Sequence, residues 1–237
     1  ASAPILGTYR GKYYKAVARG IAPVELQRFT VEMRVNINGL NRNNQALFGA
    51  WAPGSEIYMR FGDANPPYDY LNIKFGEGGQ IDRTFEGAKT DTWYHIALVF
   101  DGSQATLYVN GSKITSTDKP AGRVFKLNDA IHVAGSGISY FINACIFSEL
   151  RIWNTARTLE QLRDNEYTVD PTTPGLLHYW KMNEGQGGTF ANSVAGGPAL
   201  NVYDGYYDEK HPEKSAIQTP VWVSNVRSDG KGITKVP

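Results

Sequence analysis

The chain has 237 residues, with 24 Lys plus Arg against 23 Asp plus Glu. That length can bury a sizeable core, which excludes disorder and staple-dependent miniprotein classes. A formal net charge of +1 from interleaved charges gives no broad positive field for phosphate backbones or anionic lipid, so nucleic acid is not an expected partner. Membrane insertion is not expected either, because no stretch approaches about eighteen consecutive apolar residues. The first twenty residues lack the apolar run of a signal peptide, so the chain reads as soluble, a mature or excised piece. With Cys145 as the lone cysteine, an internal disulfide and a multi-cysteine metal cluster are both excluded. The 25 Gly, 12 Pro, 14 Tyr, 10 Phe and 5 Trp favour an all-β protein built from aromatic-rich strands and tight turns.

Taken in chain order, the first clear element is 29–37, in which Phe29, Val31, Met33, Val35 and Ile37 alternate with Thr30, Glu32, Arg34 and Asn36. That period of two predicts a half-buried strand. Segments 56–61 and 70–75 repeat the alternation between Gly, Pro, Asn and Asp clusters that supply turn dihedrals. Segment 93–100 is apolar on both faces, which suits a strand covered on both sides. A strand at 105–109, then Asn110-Gly111, then a short strand at 113–115 predicts a tight hairpin, since Asn-Gly accepts positive φ at both central residues. Further strands are expected at 130–134, 144–153 and 176–182. The single expected helix begins at Thr158, which forms a capping box with Gln161. The tail from Tyr203 has a weaker pattern, with an extra edge strand around 221–223.

No fixed-period repeat or composition-biased linker divides the chain, so one domain is expected over 1–237, its core at about 25–200 with a C-terminal extension. Many short antiparallel strands bury their inner faces by stacking two sheets, in a jelly roll or sandwich. Glycanase chemistry needs two carboxyl groups facing one sugar, at about 5 Å in a retaining pair, and alternate positions of one strand can deliver that. Neither Glu-x-Asp-x-Glu nor a bulged form of it occurs. Asp82 with Glu86, and Asp204 with Asp208 and Glu209, read as solvated turn and edge residues. No Gly-x-Ser-x-Gly elbow is present. Cys145 reads as a buried small hydrophobe, and His95 and His132 as hydrogen-bonded structural residues without a second metal ligand at i+2 or i+4. The sequon Asn110-Gly111-Ser112 is explained by its turn.

A carbohydrate site wants aromatic rings for the sugar's C–H face with Asn, Asp or Arg nearby for its hydroxyls. Segment 63–70 has that composition, and Pro66 and Pro67 would stiffen it. Tyr58 and Arg60 lie on the polar face of the preceding strand and Trp51 opens the preceding turn. The expected ligand-binding set is therefore Trp51, Tyr58, Arg60, Asn65, Tyr68, Asp69 and Tyr70. The plainer reading makes Trp51 core and the tyrosines cover for a sheet edge. Tyr203, Tyr206 and Tyr207 form a second patch.

At Thr92-Trp93-Tyr94-His95-Ile96-Ala97-Leu98-Val99-Phe100-Asp101-Gly102 and Leu107-Tyr108-Val109-Asn110-Gly111 the sequence resembles the laminin-G-like, concanavalin-A-like jelly rolls. These carry a Trp-Tyr-His-Val-Ala strand, an Asp-Gly turn and a Tyr-Val-Asn-Gly hairpin. Phe29-Thr30-Val31-Glu32, Glu149-Leu150-Arg151-Ile152-Trp153-Asn154 and Leu177-His178-Tyr179-Trp180-Lys181-Met182-Asn183-Glu184-Gly185 agree in order and spacing. The Tyr-Trp-Lys stretch and Trp222 resemble C-terminal modules of secreted bacterial proteins that handle glycans. The resemblance implies a two-sheet antiparallel jelly-roll sandwich with one short helix. It further implies a noncatalytic module, extracellular or at the cell surface, that binds carbohydrate or mediates adhesion. A structural spacer or protein-interaction domain beside neighbouring domains of the same protein, and a divergent glycosidase, are the alternatives, since this fold hosts all three. Calcium is the one cofactor left open. Many relatives have an acid directly before the Glu149 position, where this chain has Ser148, and calcium requires six to eight oxygen ligands.

Overall fold

In the computed structural model, residues 1–51, 57–135, 141–204, 211, 214–224, 226 and 232–237 are described, Trp51 by its backbone alone. In chain order they form β1 (Ala3–Tyr9), β2 (Lys12–Leu26), β3 (Phe29–Ile37), β4 (Gln45–Trp51), β5 (Ile57–Phe61), β6 (Leu71–Lys74) and β7 (Gln80–Thr84). These are followed by β8 (Trp93–Phe100), β9 (Ala105–Val109), β10 (Ser112–Thr117), β11 (Phe125–Val133) and β12 (Cys145–Trp153). The helix α1 (Leu159–Asp164), β13 (Leu176–Trp180), β14 (Thr189–Phe190), β15 (Leu200–Tyr203) and β16 (Trp222–Val223) complete the order. The expected capping box is formed at α1, with Thr158 accepting from the Gln161 backbone N–H and the Gln161 side chain accepting from Thr158.

Two layers result. One sheet runs β10-β9-β8-β3-β12, with β13 beside β12, and the other runs β2-β11-β4-β5-β6-β7, with β15 beside β2. Strand β1 links them, pairing with β12 at Ile5 and Leu6 and with β2 from Gly7 to Tyr9. The all-β jelly-roll class expected from the sequence is the architecture observed. Inward residues of β3 and β8 meet Met59, Phe61, Ile73, Phe125 and Ile131 of the opposite layer in one apolar cluster. Phe125 of β11 packs edge-on against Phe29 at 5.1 Å and Phe100 at 5.3 Å. Such pairs contribute about 0.5–1.5 kcal/mol each beyond area burial.

The outer face of β3 departs from expectation. All nine of its residues are buried, the polar set Thr30, Glu32, Arg34 and Asn36 included. The reason is that later chain covers this face. Thr30 donates to the Thr155 carbonyl at 2.8 Å, Asn36 to that of Thr234 at 2.8 Å, and the Trp93 indole to that of Ile233 at 2.8 Å. Beneath this cover, Glu32 accepts from Arg151 at 2.9 Å, pairs with His95 Nε2 at 3.0 Å and accepts from the Trp153 indole at 2.8 Å. Burial alone would raise the Glu32 pKa, but the His95 hydrogen bond and the Arg151 charge outweigh it and hold the carboxyl below its ordinary value. Arg151 also donates to Glu149 and to the Asn165 and Glu166 carbonyls, tying the segment after α1 to the sheet.

Glycine is required where β1 passes the 141–144 segment. Gly7 has φ +81, and a Cβ there would sit 2.4 Å from the Asn143 carbonyl oxygen. Gly7→Ala combines a left-handed backbone with a backbone clash, so urea denaturation should show a loss of at least about 2 kcal/mol. An unchanged midpoint would mean that β1 shifts without cost.

Candidate functional site

Strand register gathers one set of loops at a single rim. Tyr9 pairs with Lys12, Ile37 with Cys145, Gln45 with Phe61, Phe61 with Leu71, and Leu71 with Thr84. The β1–β2 turn and the loops 38–44, 62–70 and 85–92 therefore lie at the same end as the start of β12. Loop 62–70 falls here, and Asn65 is exposed while Tyr68 and Asp69 are half-buried.

The remaining members of the expected ligand set are positioned differently. Arg60 is 4% exposed and holds two loops together, donating to Asn44 and to Asn72 and pairing with Asp63 at 2.9 Å. Tyr70 is 2% exposed, accepting from the Asp63 N–H at 2.9 Å and donating to the Asn65 carbonyl at 3.0 Å. Tyr58 is also buried, opposite Gly49 on the sheet. Tyr58 and Tyr70 thus have almost no ring surface for a sugar and instead shape the loop and sheet beneath it. The Trp51 backbone pairs with Ala130 at the other end of β4 from the rim, about 20 Å from Gln45 at strand rise. Its side chain lies outside the described residues, as do Tyr206, Tyr207, Asp208 and Glu209.

Beside loop 62–70 is a groove of about 510 Å³, whose walls include Lys12, Tyr13, Tyr14, Arg42, Phe141 and Asp204. Gly62 connects the two places: a Cβ on it would lie 2.9 Å from the Tyr68 Cβ and 3.4 Å from the Arg42 carbonyl. Tyr13 packs edge-on against Phe141 with centroids 4.4 Å apart and donates to the Ala134 carbonyl at 2.7 Å. Burial pushes its phenol pKa up, so it remains a neutral donor. The 38–44 loop that carries Arg42 is braced by Asn143, whose side chain donates to Gly39 and Asn41 at 2.8 Å each and whose backbone N–H donates to the Gln45 side-chain oxygen at 2.7 Å. Among the described residues the groove offers the half-buried rings of Tyr13 and Phe141 over a buried Tyr14, exposed cations and one carboxylate, a lining suited to stacking and hydroxyl recognition. Sequence reasoning passed over its β1–β2 wall, although the adjacent aromatics of Arg10-Gly11-Lys12-Tyr13-Tyr14 were a readable signal.

The other carboxylates considered from sequence are engaged separately. Asp82 accepts from Asn72 at 2.6 Å, while Glu86 pairs with Arg83. Glu149, at a bulge with φ 56, accepts from Arg151 and Tyr179. Ser148 supplies no charge beside it, and among the described residues no three His, Cys, Asp or Glu cluster. These donors do not fit a calcium site of the family kind. Among the same residues no helix is long and apolar enough to cross a membrane. Cys145 is fully buried, with its thiol pKa pushed up by desolvation.

Comparison with known proteins agrees with the fold. Residues 10–163 match the family profile described as the concanavalin A-like lectin/glucanases superfamily. No curated protein matches the chain by sequence. Among solved structures, a candidate carbohydrate-binding protein from Bacteroides ovatus superposes with TM-score 0.65 at 24% identity, over 86% of this chain and 60% of its own length. This chain thus spans about three fifths of that protein. A heptameric SAP-like pentraxin from Limulus polyphemus gives TM-score 0.50 at 17% identity, over 68% of this chain and 79% of its own. The binding domain of a paraclostridial mosquitocidal protein gives 0.52 at 17%, over 70% and 43%. At these identities the likeness is one of fold.

Proposed function

The chain belongs to the concanavalin A-like lectin/glucanase superfamily, and on that premise we propose that it is a noncatalytic carbohydrate-binding module whose ligand lies in the rim groove. The observation that carries this reading is the groove itself, with Tyr13, Tyr14 and Phe141 beside Lys12, Arg42 and Asp204. Tyr68, Asn65 and Asp69 extend it along loop 62–70. A glycosidase needs two carboxyl groups across one scissile bond, at about 5–5.5 Å or about 6.5–9.5 Å. Among the described residues, Asp204 is the single carboxylate lining the groove itself, with Asp69 on the adjoining loop. On the outer face of the second sheet Lys15, Tyr58, Arg60, Asn72 and His132 are buried.

In this reading the module works outside the cell or at its surface, beside other domains of a larger protein. Single-site binding is weak, and useful strength comes from tethering, which raises effective concentration. Carbohydrate is also the ligand class in the description of the Bacteroides ovatus relative. A glycan array on the purified chain tests the proposal, followed by titration of any hit. Arg42→Ala and Tyr68→Ala should each weaken binding by about tenfold, the loss of one charge-assisted or stacking contact. An empty array, or a ligand indifferent to both changes, would remove the assignment, and release of reducing sugar from a polysaccharide panel would replace it with a hydrolase.

A further inference from the structure

We propose that a second cavity, of about 160 Å³ on the outer face of the first sheet, binds a carboxylate through the guanidinium of Arg34. The site is separate from the rim groove and does not depend on it. Arg34, Ser148, Glu149, Tyr167, Lys181 and Asn183 are among its lining residues.

The argument starts from an unmet requirement. The Arg34 side chain is 5% exposed, and its nearest carboxylate, on Glu166, is 3.6 Å from Nε, beyond hydrogen-bonding range. No acceptor reaches that buried Nε. A guanidinium carries five N–H donors in a fixed fork, and removing them from water without acceptors is costly. The side chain is nonetheless held in place, with its guanidinium carbon 4.9 Å from the Trp93 ring centroid and 4.5 Å from that of Tyr167. Rings interact with the guanidinium through its charge and accept no N–H···O bond, so its N–H groups still call for an oxygen acceptor, and the cavity lies against this residue.

The charges nearby narrow the ligand. Glu32 and Glu149 are already engaged by Arg151, His95, Trp153 and Tyr179, and Arg151 is engaged by them. Lys181 rests over the Tyr179 ring at 5.6 Å. Arg34 keeps only the long ion pair with Glu166 at 3.6 Å, Lys181 is in no ion pair among the described residues, and both of these lining charges are positive. A planar carboxylate matches the Arg fork with two parallel hydrogen bonds, and Lys181 would add a second charge. The Ser148 hydroxyl, the Asn183 amide and the Tyr167 ring suit the ring of a single acidic sugar, and the volume excludes much more. The carboxylate could be that of a free small acid or of an acidic sugar ending a glycan, and the two sources are separable by experiment.

The probes are glucuronate, an oligosaccharide ending in glucuronate, and glucose, each titrated while the Arg34 Nε–H resonance is followed by NMR. Glucuronate should shift that resonance and bind at least about tenfold more tightly than glucose. Oligosaccharide binding equal to or tighter than that of the free acid identifies the glycan source, and binding of the free acid alone identifies a small acid. Arg34→Met should abolish the interaction. Because that change also alters a buried contact, Lys181→Gln, at a half-buried position, serves as the second variant and should weaken glucuronate severalfold with unchanged thermal stability. Equal binding of glucuronate and glucose, glucuronate binding unaltered by both substitutions, or no wild-type response up to about 50 mM glucuronate would each overturn the proposal.

Discussion

Glu32→Gln should lower the free energy of unfolding by about 3–5 kcal/mol, the usual cost of removing one partner from a buried ion pair. Glu32 is 1% exposed and satisfies Arg151, His95 and the Trp153 indole together. The neutral amide retains the shape but turns one acceptor into a donor, facing donors already in place, and leaves Arg151 with only Glu149 as a counter-charge. The loss should extend beyond the core. Arg151 orders the Asn165 and Glu166 carbonyls, so the segment after α1 should become more susceptible to proteolysis. Replacing both members, as Glu32→Met with Arg151→Met, should cost less than the sum of the single changes, because no uncompensated charge then remains. Urea denaturation of the wild type, Glu32→Met, Arg151→Met and the double variant measures this coupling, with Glu32→Gln measured beside them. Additive losses, or a Glu32→Gln loss below about 1 kcal/mol, would show that the network is not the anchor described.

Stability should also fall steeply between pH 7.5 and pH 5, well before carboxylates titrate. Burial lowers the pKa of His178 to about 4, and burial together with Lys15 and Arg19 lowers that of His132 to about 3. In the unfolded chain both return to about 6.5. A depressed folded pKa means that stability is fully present above the unfolded value and is lost as pH falls toward the folded one. By pH 5 the unfolded state has taken up two protons that the native state refuses, which costs on the order of 2 kcal/mol for each histidine. Glu32, held below its ordinary range, extends the decline in the same direction below about pH 4.5. His178 accepts from Asn192 at 2.9 Å and stacks on Trp180 at 5.3 Å. His178→Gln should therefore lower stability at pH 7.5 and flatten about half of the pH dependence. Urea midpoints measured from pH 8 to pH 5 report this directly, and a flat profile would contradict neutral burial of both rings.

The strands legible in sequence were those whose two faces differ or whose ends carry turn chemistry. Strand β3 alternates, β8 is apolar throughout, and Asn110 and Gly111 adopt the positive φ that the hairpin requires. The helix and its cap followed from Thr158 and Gln161 alone. Strands β1, β2, β4 and β7 escaped because their patterns are interrupted. In β2 the pairing with β11 shifts twice, and each bulge reverses the inside and outside positions that periodicity relies on. The site was partly legible for a similar reason. The composition of 63–70 marked the loop, and Asn65, Tyr68 and Asp69 are its accessible members, but composition cannot show that Tyr58 and Tyr70 are buried.

The order of residues by itself determined the all-β class, the two-layer arrangement and the hairpin, because alternation and turn dihedrals act over a few neighbouring residues. Only the tertiary structure decided what lies on the outer faces. Glu32 and Arg34 look like solvent-facing members of an amphipathic strand, yet chain more than a hundred residues later covers both and closes one into a charge network while the other borders a cavity. Likewise Tyr13, Arg42 and Phe141 become one groove through strand register alone. Contacts between distant segments depend on which sheet faces the remaining chain buries, a choice made by the whole core and not by any local pattern.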